Sequence, residues 1–194
     1  MDSREQNVGW ALWGRWLLAT VIGWVVGIVV AIVLSYTVVN RFHPEETNLI
    51  VGFCVAAAVG AAQVFAVRRV LSLKWVWVLG TIVGMGVPYT VVVLFAEAWF
   101  GAIQVSAMWL VPIVVVAGAL AGMIQVGALT RHTMRAHWWI WVSVVTWGVT
   151  WLVSFSLREP GLLVGILVHG ALSGAFLIWL VRTLPSRVSN STDG

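Results

Sequence analysis

The sequence predicts an all-α protein: a bundle of six membrane-spanning helices, built from three parallel two-helix repeats in a pseudo-threefold arrangement. Three observations predict this fold. Of the 194 residues, 61% are hydrophobic and only 9% are charged, whereas soluble domains carry about 25% charged residues. The apolar residues fall into runs of about twenty, the length that a helix needs to cross the hydrocarbon core. One stretch of about thirty residues occurs twice in nearly the same form.

Six apolar runs give the predicted spans, which cover 17–36, 49–67, 75–95, 109–129, 138–157 and 162–181. Proline cannot continue a helix, so Pro44 interrupts the polar connection between the first two spans. Pro112 is expected in the first turn of the fourth span, where it is tolerated. Pro88 lies within the third span and predicts a kink there. Segment 96–108 is too polar to span, and we expect it to form a short helix lying on the membrane surface.

The basic residues predict the orientation of the spans. An even number of spans leaves both termini on one side, and the first nine residues are expected to be frayed. With the termini in the cytoplasm, the cytoplasmic segments hold nine of the eleven Lys and Arg residues. The outer loops hold only Arg41 and Arg158. This bias follows the positive-inside rule and predicts cytoplasmic termini.

The repeated unit occupies 57–87 and, 62 positions later, 119–149. The two copies share Gly60/Gly122, Gln63/Gln125, Arg69/Arg131, Trp77/Trp139 and Gly86/Gly148. The similarity extends to the first span, where Trp16, Thr20 and Gly23 match Trp77, Thr81 and Gly84, and to the last, where 170–174 matches 118–122. We therefore expect one transmembrane domain with repeats at about 10–70, 71–132 and 133–183, and a polar tail at 184–194. Two spans per repeat make the repeats parallel, related by an axis along the membrane normal.

This unit, GxxQ…RR…WW followed by a Gly-rich helix, resembles that of uncharacterised Trp-rich, multi-pass bacterial membrane proteins. The matching residues are Gly60, Gln63, Arg69 and 75–77 in one copy, and Gly122, Gln125, Arg131, Trp138 and Trp139 in the next. The third copy departs from the pattern, because Leu177 stands where the Gln is expected. The resemblance implies a location in the bacterial cytoplasmic membrane. It implies no activity.

Small residues four positions apart recur within the spans and predict close helix packing, because lipid provides no hydrophobic drive for helices to associate. The predicted packing residues are Gly23, Gly27, Gly60, Gly84, Gly118, Gly122, Gly170 and Gly174. Contact between the chain's own helices is the first interpretation, and docking against another membrane subunit is the alternative.

Polar side chains within the spans are the next candidates. Gln63 and Gln125 each lie six residues before an arginine, about 9 Å from the inner interface. They are expected either to hydrogen-bond neighbouring helices or to line a shared cavity. His169, near the middle of the sixth span, has Gly165 and Ser173 on the same helix face. It is a candidate axial ligand for a haem or chlorophyll-type macrocycle. A hydrogen bond to a neighbouring helix is the other interpretation.

The fourteen Trp residues concentrate at span ends and predict an aromatic belt. This belt includes Trp16, Trp77 and Trp139. Trp24, Trp147 and Trp151 lie deeper and are the candidates for lining a pocket. The basic turns suit anionic lipid head groups, through Arg68, Arg69, Lys74, Arg131 and Arg135.

The function expected from the sequence is that of a non-enzymatic membrane module. It would pack against a partner membrane subunit or hold a hydrophobic ligand. No nucleophile stands in a recognisable catalytic setting, no carboxylate lies within a span, and no phosphate-binding or zinc motif is present. Cys54 is the single cysteine, and the basic residues of the turns give no nucleic-acid signal. A small-solute uptake component is the alternative function, and pigment binding through His169 is the third.

Overall fold

The computed structural model describes residues 3–38, 44–87, 107–157 and 160–182. These residues are all-α, with no strand among them, as the sequence predicts. The six helices are α1 (Ser3–Val38), α2 (Pro44–Val67), α3 (Trp75–Thr81, continued by the π-helical turn Ile82–Gly86), α4 (Ala107–Leu129), α5 (Trp138–Ser156) and α6 (Gly161–Arg182).

Four of the helices are long and apolar enough to cross a membrane. Their apolar segments are Gly9–Thr37, Ile50–Val67, Pro112–Leu129 and Gly161–Arg182, with mean hydropathies of 2.0 to 2.8. The apolar segments of α3 and α5 are shorter, at Trp75–Gly86 and Trp138–Ser154. Large apolar side chains cover the outside of the bundle: Val116 is 58% exposed and Leu163 is 68% exposed. Such a surface suits lipid rather than water, so the chain is a membrane protein by length and composition.

The helix boundaries differ from the sequence prediction in two places. The helix α1 begins at Ser3, so the polar residues from that point are helical rather than frayed. The helix α4 begins at Ala107, which puts Pro112 in its second turn instead of its first. Pro44 is the first residue of α2, where the missing N–H costs no hydrogen bond. The kink at Pro88, nearly all of segment 96–108 and the tail at 184–194 lie outside the described residues.

The six helices form a closed ring. Each helix packs against the one before it and the one after it in the chain, and α6 packs against α1. The ring therefore has an interior to which every helix contributes one face. One end carries the turns 68–74 and 130–137, and we call it the turn end.

Glycines allow the helices to approach closely. A Cβ atom built at Gly23 would stand 2.6 Å from the Cα of Val59 in α2, and one at Gly122 would stand 2.7 Å from the Cα of Ile140 in α5. All eight glycines named from the sequence lie against a neighbouring helix. The other six pairs are Gly27 with Val55, Gly60 with Val78, Gly84 with Ala121, Gly118 with Ser143, Gly170 with Leu17, and Gly174 with Trp16. Close backbone contact of this kind supplies the dispersion energy that holds helices together in lipid.

An apolar cluster fills the ring at the turn end. Leu71 and Leu73 of the first turn point inward and are 2% and 5% exposed. They pack with side chains from the helix ends, which include Leu12, Val67, Leu129, Ala136, Leu177 and Leu180. We call this cluster the apolar plug. It closes the interior of the ring at that end.

Candidate binding site in the centre of the ring

Three tryptophans meet in the interior, directly on the apolar plug. Trp16, Trp77 and Trp139 are only 1%, 1% and 2% exposed. Their ring centroids lie 5.7 Å (Trp16–Trp77), 6.5 Å (Trp16–Trp139) and 5.1 Å (Trp77–Trp139) apart. We call these three residues the tryptophan cluster. The sequence interpretation that put them in the interfacial belt is wrong. Each ring finds its apolar contacts and a hydrogen-bond acceptor inside the bundle, which is the environment that a buried indole requires.

The outer tryptophans do fit an interfacial belt. Trp10, Trp75 and Trp141 are 68%, 67% and 64% exposed. Because exposed indoles at helix ends favour the lipid head-group region, these three need no other partner to explain them.

The first polar link of the interior is made by Gln63 on α2. Its Nε2 donates to the Thr20 hydroxyl on α1 at 3.2 Å, and its Oε1 accepts from the Trp77 Nε1 on α3 at 3.1 Å. Thr20 itself donates to the backbone carbonyl of Trp16 at 3.0 Å. One amide therefore joins the helix before it to the helix after it, with all of these side chains buried.

Gln125 on α4 makes the same link 62 residues later. Its Nε2 donates to the Thr81 hydroxyl on α3 at 3.1 Å, and its Oε1 accepts from the Trp139 Nε1 on α5 at 2.7 Å. Thr81 donates to the backbone carbonyl of Trp77 at 3.0 Å. Both glutamines named from the sequence thus act between helices, and both border the cavity described below.

The third tryptophan uses a different acceptor. Leu177 on α6 stands where a glutamine would match Gln63 and Gln125, and it belongs to the apolar plug. Trp16 Nε1 instead donates at 3.0 Å to the hydroxyl of Ser173, one turn earlier on α6, and this hydroxyl donates at 2.6 Å to the backbone carbonyl of His169. The roles of Thr20 and Ser173 were not predicted from the sequence. The match of Thr20 with Thr81 between repeats was the available signal.

A cavity lies on the far side of the tryptophan cluster from the apolar plug, and all six helices line it. It consists of two adjoining spaces, which we call together the central cavity. The lower space, which is the one nearer the turn end, has a volume of about 30 Å³. It is bounded by the tryptophan cluster and by the hydrogen-bonded Gln, Thr and Ser side chains just described, which form its polar floor. The upper space, of about 200 Å³, is mostly apolar. Trp24, Met85, Trp147, Thr150 and Ile166 border both.

The upper space is walled by the deep tryptophans. Trp24 and Trp147 border both spaces, and Trp151 borders the upper one. These are the three tryptophans that the sequence singles out for a pocket. An apolar cavity of about 150 Å³ stays dry and admits benzene. The upper space is therefore large enough for a molecule of one or two rings, or for a short branched chain.

His169 borders the lower space. Its Nδ1 is buried and has no hydrogen-bond partner among the described residues, and its ring lies on that of Trp147 with the centroids 4.6 Å apart. The flanking Gly165 does not leave the space that the sequence suggested, because Ser154 and Thr150 of α5 occupy it. About 30 Å³ holds about two waters. This site does not fit a haem or chlorophyll-type macrocycle.

The five basic residues proposed to contact lipid head groups, Arg68, Arg69, Lys74, Arg131 and Arg135, are all exposed at the turn end. The Arg68 guanidinium lies 3.9 Å from the centre of the Phe65 ring, and that of Arg135 lies 5.6 Å from the centre of the Trp179 ring. The hydroxyl of Ser72 and the Nε2 of His132 are 3.2 Å apart and join the two turns.

The fold and the site together define a helical membrane protein whose closed ring encloses a small cavity with a polar floor and apolar walls. Among the described residues that line this cavity, His169 is the only one with an ionisable side chain. No group of three or more potential metal ligands occurs among the described residues. No family model, curated protein or solved structure matches the chain. The resemblance to the Trp-rich membrane proteins therefore stays an expectation.

Proposed function

We propose that the chain is a six-span, non-enzymatic membrane module that holds a small hydrophobic ligand in its central cavity. The observation that carries this proposal is the upper space of about 200 Å³, which is lined by all six helices and walled by Trp24, Trp147 and Trp151. A concave, mostly apolar cavity with a few polar groups at one end is the usual form of a small-molecule site.

The proposed architecture is three parallel two-helix repeats around a pseudo-threefold axis. Two features support it. Gln63 and Gln125 make the same pair of interhelical hydrogen bonds at an offset of 62 residues. The backbone of each helix also approaches only those of its two neighbours in the ring. The shorter apolar segments of α3 and α5 then belong to spans as well. The bias of basic residues supports cytoplasmic termini, and the sequence resemblance supports a bacterial cytoplasmic membrane.

The polar floor of the cavity supports a ligand with one polar end. Nδ1 of His169 has no partner among the described residues, and a buried nitrogen left unpaired is unfavourable. A neutral imidazole nitrogen donates or accepts according to its tautomer. A hydroxyl group on the ligand, or a water beneath it, pairs with either form.

The test is purification in a mild detergent followed by mass spectrometry of the co-eluting small molecules. We expect a ligand of one or two rings, or a comparable branched chain, at a stoichiometric level. Val114, 2% exposed, borders the upper space, so Val114→Phe should displace the ligand. Val115, its neighbour on the outer face, gives the matched control Val115→Phe, which should retain it. If both variants and the parent protein carry no such molecule, the proposal fails.

A small-solute uptake component is the second candidate. The central position of the cavity favours it, because transporters place their sites near the midplane between repeats. The apolar plug and the tryptophan cluster close the turn end of this path, and none of the described side chains that line it is charged. We therefore expect purified protein in liposomes to give no proton or sodium flux. A protein-dependent flux would make uptake the better proposal.

A further inference from the structure

A groove of about 570 Å³ runs along the outside of the bundle where α1 packs against α2. Small side chains form its floor, and large apolar side chains form its rim. The floor residues are Ala19, Ala62 and Ala66, and the rim residues are Leu18, Ile22 and Phe65. Phe65 and Leu18 are 63% and 59% exposed. The groove exists because three alanines face one another between bulkier neighbours.

Three arginines close the groove at the turn end. Arg15 comes from α1, and Arg68 and Arg69 directly follow α2. All three are exposed, and the Arg68 guanidinium is held over the Phe65 ring at 3.9 Å.

The order of these groups along the helix matches one class of molecule. Ile22 lies seven residues from Arg15, about 10 Å further along the helix axis. Arg15 precedes the uncharged run 17–36 of α1, and Arg68 and Arg69 follow the apolar segment Ile50–Val67 of α2, so the groove continues from the arginines towards the hydrocarbon core. A free phosphate would contact the arginines and leave the apolar part of the groove uncovered. A phospholipid covers both parts, with its phosphate at the interface and an acyl chain in the groove.

We propose that this groove is a binding site for an anionic phospholipid, separate from the central cavity. The phosphate contacts Arg15, Arg68 and Arg69, and one acyl chain lies on the alanine floor. Basic pockets between helices at a membrane surface bind anionic head groups in this way. Each arginine near such a surface contributes about a fivefold gain in affinity, so removal of two should weaken binding by about 25-fold.

The test measures lipid binding to the full-length protein in detergent by native mass spectrometry. The probes are phosphatidylglycerol and phosphatidylcholine, and inorganic phosphate serves as a competitor. We expect tighter binding of phosphatidylglycerol, no displacement by millimolar phosphate, and a loss of about 25-fold in Arg15→Gln/Arg68→Gln. The variant Arg182→Gln removes an exposed arginine at the end of α6, outside the groove, and should bind as the parent does.

Filling the groove separates its shape from its charge. Ala62→Leu leaves every arginine in place and obstructs the floor, so it should weaken phosphatidylglycerol binding by at least fivefold. Helix content by circular dichroism checks that each variant is folded, and Ala66→Leu replaces Ala62→Leu if the latter is not. An equal loss in Arg182→Gln and in Arg15→Gln/Arg68→Gln, equal binding of the two lipids, displacement by phosphate, or unchanged binding in the folded floor variants would each overturn the proposal.

Discussion

The hydrogen bonds of Gln125 offer the sharpest test of what holds the ring together. In Gln125→Leu, a side chain of similar size replaces the amide, as Leu177 does on α6. Two interhelical bonds are lost, to Thr81 and from Trp139. The hydroxyl of Thr81 keeps its bond to the Trp77 carbonyl. The indole N–H of Trp139 loses its acceptor, although this side chain is only 2% exposed.

The expected cost follows from these contacts. An interhelical hydrogen bond in a membrane averages about 0.6 kcal/mol and reaches about 1.7 kcal/mol. Leaving a buried donor unpaired costs about 1 to 3 kcal/mol. Since the two estimates overlap, we expect Gln125→Leu to lower the free energy of unfolding by about 1 to 3 kcal/mol. The measurement is reversible unfolding in mixed micelles, followed by circular dichroism. Met123→Leu, at a position 51% exposed on the same helix, is the control and should change little.

The third tryptophan supplies a compensating variant. Ser173, four residues before Leu177, accepts from Trp16, and Ala121 lies four residues before Gln125. We therefore expect Ala121→Ser/Gln125→Leu to regain about 1 kcal/mol relative to Gln125→Leu, since a hydroxyl again accepts from the indole. A loss below about 0.5 kcal/mol in the single variant would refute the argument about the unpaired donor. If the double variant regains no free energy of unfolding, positions 121 and 173 are not equivalent as acceptor positions.

Three further outcomes are expected from other parts of the chain. Gly122→Leu should destabilise the bundle by more than about 2 kcal/mol, because a Cβ there would meet the α5 backbone. Gly127→Leu on the same helix should have little effect, since nothing lies within 4 Å of a Cβ at that position. Equal melting temperatures of the two variants in detergent would contradict this. In a background without the native cysteine, Glu45→Cys should react with an impermeant thiol reagent in intact cells and Ser72→Cys should not; the reverse pattern would invert the proposed orientation. His169→Leu removes a hydrogen bond to the backbone of Thr146 on α5, so it should cost about 1 kcal/mol or less. The absorption spectrum should not change, and loss of a Soret band would show that a pigment had been bound.

The sequence was sufficient to predict the helices and the small residues between them. The repeat also identified Gln63 and Gln125 as polar groups inside the spans. The partners of these amides depend on which helices are neighbours and how each is rotated, so the hydroxyl of Thr20 was not predicted as an acceptor. The sequence pattern alone predicts an interfacial Trp16, because an indole near a span end suits both the head-group region and a polar core. Only the closure of the ring decides between these two environments.

That closure also constrains the order in which the bundle assembles during synthesis. The ring is completed by the contact of α6, the last described helix, with α1, the first. The indole of Trp16 cannot reach its acceptor, Ser173, until α6 has entered the membrane. Until then α1 has one neighbour in place of two, and Gly170 and Gly174 have not yet covered its second face. The insertion of α6 thus determines when α1 reaches its native environment.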